Sequence, residues 1–218
     1  MMPSKKIYLV GGAVRDRLMK REITDKDYVA VGYLPSEFSH LKQVGKDFPV
    51  FLQPDGSELA LARLERKNGK GYNGFEVETA GVTIEDDLKR RDLTINAIAY
   101  DEETGKYIDP FGGKEDIRQR LLRHTSDAFA EDPMRVLRLA RFRATFGETW
   151  KIHPATRVLV YAMQEELDYL QPDRVWKEMQ KVLVLPEAHL FFETLFELGI
   201  LGAVFPSLYT LTTLKEGN

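Results

Sequence analysis

The sequence predicts an α+β protein in two parts: an α+β head over residues 1–125 and an all-α part over 126–218. Three observations carry this reading. Short β-type runs closed by Gly and Pro turns fill the first part. Helical periodicity fills the second. The composition, 43% hydrophobic and 30% charged over 218 residues, is that of an ordinary globular chain with a real core.

In order, Ile7 to Val10 is a β-type run ending at Gly11-Gly12, and Ala13 to Lys20 a short helix. Tyr28 to Val31 is a second strand, closed by Gly32. Pro49 to Leu52 and Glu58 to Arg63 form a hairpin about the turn Pro54-Asp55-Gly56. Residues 64–81 are rich in Gly, Lys, Asn and Glu and read as a mobile loop with one short strand, Phe75 to Thr79. Ile84 to Tyr100 is expected to be helical, and Asp109 to Gly113 a turn. A helix then starts at Asp132-Pro133, with Asp132 as N-cap and Pro133 at the first helical position, and runs to about Phe146. Further helices are expected at about 154–166, 173–185 and 187–200. Val175, Met179, Val182 and Leu183 recur at helical spacing, as an amphipathic stripe requires.

Composition excludes several function classes. Net charge is −3, so any nucleic-acid contact comes from a local patch rather than a basic coat. Cysteine is absent, which removes disulfides, Cys-ligated zinc and thiol nucleophiles. His40, His124, His153 and His189 lie far apart, without metal-ligand spacing. The apolar run before Gly11 is too short for a signal peptide, and Pro186, Glu187, His189, Glu193 and Glu197 break the apolar stretch 182–205. No membrane segment is expected, and a cytoplasmic setting fits. Self-association is left open.

Five constellations bear on chemistry. Asp25 and Asp27, at i and i+2 entering a strand, place two carboxylates on one face, where they suit Mg²⁺; a lone D-x-D is very common, and an acidic turn before a strand is the favoured reading of that pair by itself. Gly11-Gly12 between strand and helix offers bare N–H groups to a phosphate, with Arg15 one turn in; it is neither a G-x-G-x-x-G nor a P-loop pattern, and a plain strand–helix turn is the bland alternative. Glu58 offers a third carboxylate or is a solvent-facing edge residue. Lys89-Arg90-Arg91 runs into Asp92, with Arg91 suited to a triphosphate or to a solvated charge run. Arg135, Arg138 and Arg141, at i, i+3 and i+6, form one helical stripe whose mutual repulsion favours an anion. Asp132 and Arg135 set acceptor and donors side by side, as reading a nucleobase edge requires; a capped helix with a solvated basic face is the alternative.

A dense set of motifs runs through the chain: Tyr8 to Asp16, Asp25-Lys26-Asp27, Asp47 to Leu52, Leu61-Ala62-Arg63, Glu85 to Ala97, Glu131 to Phe142 and Asp173 to Glu178. With them the sequence resembles the bacterial CCA-adding tRNA nucleotidyltransferases. These belong to the class II branch, shared with the bacterial poly(A) polymerases, of the DNA-polymerase-β-like superfamily. The resemblance implies a polymerase-β-like head with a mixed sheet, followed by a helical neck. It implies metal ions on Asp25 and Asp27, with Glu58 as a third carboxylate. Gly12, Arg15 and Arg91 would contact the nucleotide, Asp132 and Arg135 would read CTP or ATP, and Arg138 and Arg141 would support the nucleotide and its phosphates. The implied reaction is CCA addition to the tRNA 3′ end with Mg²⁺, and the 64–81 loop would switch C to A addition. Alternatives within the branch are a poly(A) polymerase or a CC-only or A-only enzyme; outside it, a nucleotide- or RNA-binding module. The sequence ends at Asn218 and no His is followed by Asp, so a head and neck without an HD phosphohydrolase domain are expected.

Overall fold

The computed structural model of the protein describes residues 4–45, 49–67 and 75–212. It divides into two compact units, Met1–Gln119 with His124–Ala128, and Arg120–Arg123 with Phe129–Asn218. The first unit runs β1 (Lys6–Val10), α1 (Gly12–Leu18), β2 (Asp27–Val31), β3 (Lys42–Val44), β4 (Val50–Leu52), β5 (Glu58–Leu61), β6 (Leu64–Lys67), β7 (Phe75–Glu78), α2 (Ile84–Lys89), β8 (Ala99–Asp101), β9 (Lys106–Ile108) and α3 (Gly113–Gln119).

Seven strands form one mixed sheet in the order β3-β4-β5-β2-β1-β8-β9. Only β2 and β5 pair in parallel; the other neighbours are antiparallel. Side-chain alternation sorts the two faces. Tyr8 and Val10 of β1 and Val29 and Val31 of β2 pack with Ile84 and Leu88 of α2. Leu9 turns the other way, onto Ala13 and Val14 of α1 and Ile98. The expected 49–52/58–63 hairpin is present as β4 and β5.

Two expectations are corrected in this unit. Residues 64–81 hold a second hairpin, β6 with β7, rather than a loop with one strand. Backbone pairing there overrides a composition poor in β-formers. The mobility expected of the loop falls on 68–74, which lie outside the described residues, as do Asp47 and Phe48 of the motif text. Ile84 to Tyr100 is three pieces: α2, a 3₁₀ turn at Thr94–Asn96, and β8. α2 stops at Lys89 with Arg90 as its C-cap, and just beyond it the Asp92 carboxylate accepts from Leu93 N–H (2.8 Å) and Asn96 Nδ2 (3.0 Å), local bonding that competes with a continued helix. The turn at 109–113 continues into α3, whose first N–H groups Asp109 caps at Gly113 (2.7 Å) and Lys114 (2.9 Å).

The second unit runs β10 (Leu121–Leu122), α4 (Met134–Phe146), β11 (Lys151–Ile152), α5 (Pro154–Ala162), α6 (Pro172–Leu183), α7 (His189–Glu197), α8 (Leu201–Val204) and α9 (Pro206–Thr212). Short β10 and β11 pair in parallel. Val136, Leu137, Leu139 and Ala140 bury one side of α4, which packs on α6 and α7. The helix is bounded at Met134, but Pro133 already has helical dihedrals and Asp132 Oδ1 accepts from Met134 N–H at 3.1 Å, so Asp132 caps as its sequence position suggests. The helix expected over 154–166 ends at Ala162, followed by a 3₁₀ segment at Gln164–Tyr169. The one expected over 187–200 is α7 alone, ending at Glu197. Among the described residues no helix is long and apolar enough to cross a membrane.

Candidate active site

In the first unit the site forms where β1 ends and β2 begins. Val10, last in β1, pairs with Asp27, first in β2, so the Gly11-Gly12 turn leaves the sheet beside the Asp27 carboxylate. Asp27 is also the parallel register partner of Glu58, first in β5, and Glu58 N–H donates to Lys26 O at 3.1 Å. Asp25 lies in the irregular segment before β2, so proximity rather than strand alternation brings it to Asp27. Asp25, Lys26, Asp27 and Glu58, with Asp55 and Ser57, line a cleft of about 540 Å³.

Burial pushes the Asp27 carboxyl above its ordinary range; the Arg91 charge opposes this and the Asp25 charge adds to it. Two clustered carboxylates that disfavour joint ionisation are the donor set a hard divalent cation relieves. By the chemistry of that donor set, Asp25 and Asp27 suit a hard divalent cation such as Mg²⁺. Among the described residues no three His or acidic side chains come together as a metal cluster, so Glu58 stands beside the pair without closing a three-ligand set.

Gly11 is the tightest point. Its φ of +68° lies in the left-handed region, and a Cβ there would sit 3.1 Å from Arg91 Nη1 and 3.8 Å from Asp27 Oδ2. The missing side chain lets Arg91 and Asp27 approach the turn. Arg91 is held from behind by Asp87, whose Oδ2 accepts from its Nε (3.3 Å) and Nη2 (3.0 Å). Oδ1 of Asp87 accepts from Arg90 Nη2 (2.7 Å), Arg90 Nε (3.0 Å) and Arg63 N–H (3.3 Å). Asp87 is fully buried. Burial works against its charge, but the Arg91 and Arg90 guanidiniums outweigh it and hold the carboxyl below its ordinary range. Arg15 is gripped by Asp16 through Nε (2.9 Å) and Nη2 (2.8 Å), and by Asn96 Oδ1 through Nη1 (2.8 Å). Gly12 lies at the start of α1, 3.4 Å by its Cβ direction from Arg15 Nη2.

In the second unit the arginine stripe meets α6. Arg174 donates to both oxygens of Asp132, Nη1 to Oδ1 at 3.2 Å and Nη2 to Oδ2 at 2.8 Å. One turn along α6, Glu178 accepts from Arg141 Nε. Glu178 is buried, which disfavours its charge, yet Arg141 outweighs burial and keeps the carboxyl below its ordinary range. Arg141 therefore has a counter-charge inside the protein, which the repulsion argument left out. It also lies over the Phe142 ring, 4.5 Å from the centroid, with Arg138 at 5.7 Å. Arg135 and Arg138 are half-buried on α4 between the two cross-helix pairs.

Residues 7–123 match the model of the poly A polymerase head domain, and 150–211 that of a probable RNA and SrmB-binding site of polymerase A. The chain belongs to the poly(A) polymerase head-domain family. It is 53% identical over 213 residues to a multifunctional CCA protein of Stenotrophomonas maltophilia (strain R551-3), covering 94% of this chain and 52% of that one. Among solved structures, Bacillus stearothermophilus CCA-adding enzyme in complex with CTP is 34% identical, with a TM-score of 0.75 over 90% of this chain and 49% of that one. Thermotoga maritima CCA-adding enzyme complexed with tRNA_CCA is 26% identical, with a TM-score of 0.72 over 93% and 48%. The chain spans about half the length of the curated relatives it matches.

Sequence reasoning brought out Asp25, Asp27, the Gly11-Gly12 turn and Arg91 but missed Asp87, Asn96, Arg174 and Glu178. Three of these carried a usable signal. Asp87 stands four residues before Arg91, the spacing of a helical ion pair. Arg174 and Glu178 share one face of α6 by the same spacing.

Proposed function

We propose that the chain carries the catalytic and base-selecting parts of a template-independent nucleotidyltransferase that adds C and A to tRNA 3′ ends. In this reading residues 1–125 serve the transfer and 126–218 the choice of base. The observation that carries it is the convergence of Asp27, the bare Gly11 turn and Arg91, with Asp25 alongside. Family membership and the likeness to enzymes solved with CTP and with tRNA support the same reading.

The tRNA 3′-hydroxyl attacks the α-phosphate of CTP or ATP in line, and pyrophosphate leaves. Asp25 and Asp27 would hold Mg²⁺, which when bound supplies charge stabilisation to the phosphoryl oxygens. Gly11 and Gly12 leave room for phosphate oxygens at the turn, and Arg91, stiffened by Asp87, presents a fixed cation there. Arg15, clamped by Asp16 and Asn96, adds positive charge at the same turn. Asp132 accepts from the exocyclic amino group that cytosine and adenine share. Arg135 donates to the neighbouring ring nitrogen, an acceptor in both; in uracil and guanine donor and acceptor are reversed. Arg138 and Arg141 add cationic support. Glu58 is a third carboxylate beside Asp27. A cytoplasmic setting suits such a substrate.

The test incubates the protein with Mg²⁺, CTP, ATP and tRNA lacking its 3′ end. Extension by C-C-A is expected, and Asp25→Ala abolishes it while leaving the fold intact. Long A-tails would point to a poly(A) polymerase. No extension, together with retained nucleotide or RNA binding, would point to a binding module.

A further inference from the structure

We propose that Arg174 is a positioning residue that sets base selectivity by fixing the Asp132 carboxylate, an inference that rests on Asp132 reading the base edge. An ionised carboxylate offers about four acceptor sites. At Asp132 three hydrogen bonds are already made: Met134 N–H and Arg174 Nη1 to Oδ1, and Arg174 Nη2 to Oδ2. What remains lies on Oδ2, one acceptor site for one donor. That matches a single exocyclic amino group and repels the carbonyl that uracil and guanine carry instead.

The fork decides where that site points. Two parallel guanidinium bonds hold the carboxylate in the guanidinium plane, so it cannot rotate to suit another edge. A single-point cation such as lysine would neutralise the carboxylate and leave it free to turn. The fork itself is anchored. Glu178, one turn further along α6, pairs with Arg141 on α4, so the two helices are tied at two points and Arg174 meets Asp132 in one register. Arg174 acts through Asp132 and needs no contact with the nucleotide.

Equilibrium binding of CTP, UTP, ATP and GTP to the purified chain in Mg²⁺, without RNA, provides the test. CTP and UTP share ribose and triphosphate, so their affinity ratio cancels general damage to the fold or to phosphate binding. The unchanged protein prefers CTP and ATP, and Asp132→Asn erases that preference. Arg174→Gln lowers the CTP/UTP ratio by about tenfold or more, the scale of one misplaced hydrogen bond. Arg174→Lys, with the charge but not the fork, falls nearer to Arg174→Gln than to the unchanged protein. If Asp132→Asn erases the preference while Arg174→Gln keeps it, or if Arg174→Lys fully restores it, the positioning role is wrong and base reading stands. If the unchanged protein shows no preference, or Asp132→Asn keeps it, base reading itself fails and this inference with it.

Discussion

At Asp27 the carboxyl is raised first by burial, with Arg91 opposing and Asp25 adding to the rise. A carboxyl raised in the fold costs stability when it is ionised. Its favourable contribution is complete below the ordinary aspartate value and is lost as pH rises through the folded one. Asp27→Asn is neutral at every pH, so it is expected to raise Tm slightly at pH 7 while abolishing transfer. The Tm advantage should shrink to nothing as pH falls below about 4, where aspartate is itself protonated. Melting curves at both pH values check this, and a Tm that drops at neutral pH would sink it. Asp25, Asp27 and the glycine pair were legible in the sequence because their relation is local, a strand end and the turn beside it. Asp132 and Arg135 were legible for the same reason. Their partner Arg174 was not, because the pairing depends on how two helices some forty residues apart align.

Among the elements, α3 fixes the 3₁₀ turn that carries Asn96. Thr94 Oγ1 donates to Asp116 Oδ2 at 2.6 Å, with both residues buried. A Cβ on Gly113 would lie 2.2 Å from Thr94 O and 2.8 Å from Ile98 Cγ1, so the helix reaches the turn only because its first residue has no side chain. Gly113→Ala should therefore destabilise the protein by at least about 2 kcal/mol, the upper range of core overpacking, read as a lower urea midpoint. The shift should also loosen Asn96 from Arg15. An unchanged midpoint would mean that α3 can move away without loss. In the sequence this whole stretch read as one long helix. The apolar spacing of Ile84, Leu88 and Ile95 fits one helical face, but α2 stops at Lys89 and beyond it Asp92 bonds its own neighbours. Periodicity reports which residues are buried, and here burial belongs to a helix, a turn and a strand in succession.

For the whole molecule, acid should be the destabilising direction. In the first unit Asp87 is held below its ordinary range by Arg91 and Arg90 against burial, and Lys6 holds Asp101 down to about 2 through a 2.6 Å contact. In the second, Glu178 is held low by Arg141 and Glu197 by Arg143 and Arg157, each against burial. A carboxyl depressed in the fold contributes stability that is fully present above its unfolded value, near 4, and is lost as pH falls through the folded value. These four groups act together, and among the described carboxyls Asp27 acts the other way. The unfolding free energy should thus stay level from about pH 8 to 6, begin to fall below about pH 5, and drop most steeply between about 4 and 2. Because each unit holds depressed carboxylates on buried or half-buried arginines, both should lose stability over that span. Urea midpoints taken across the range, with Asp87→Asn as comparison, decide the matter. The variant starts lower, since it leaves two guanidiniums without their buried partner, but its curve should be flatter in acid. A stability that holds from pH 6 down to 3 would show that these ion pairs do not set the acid limit.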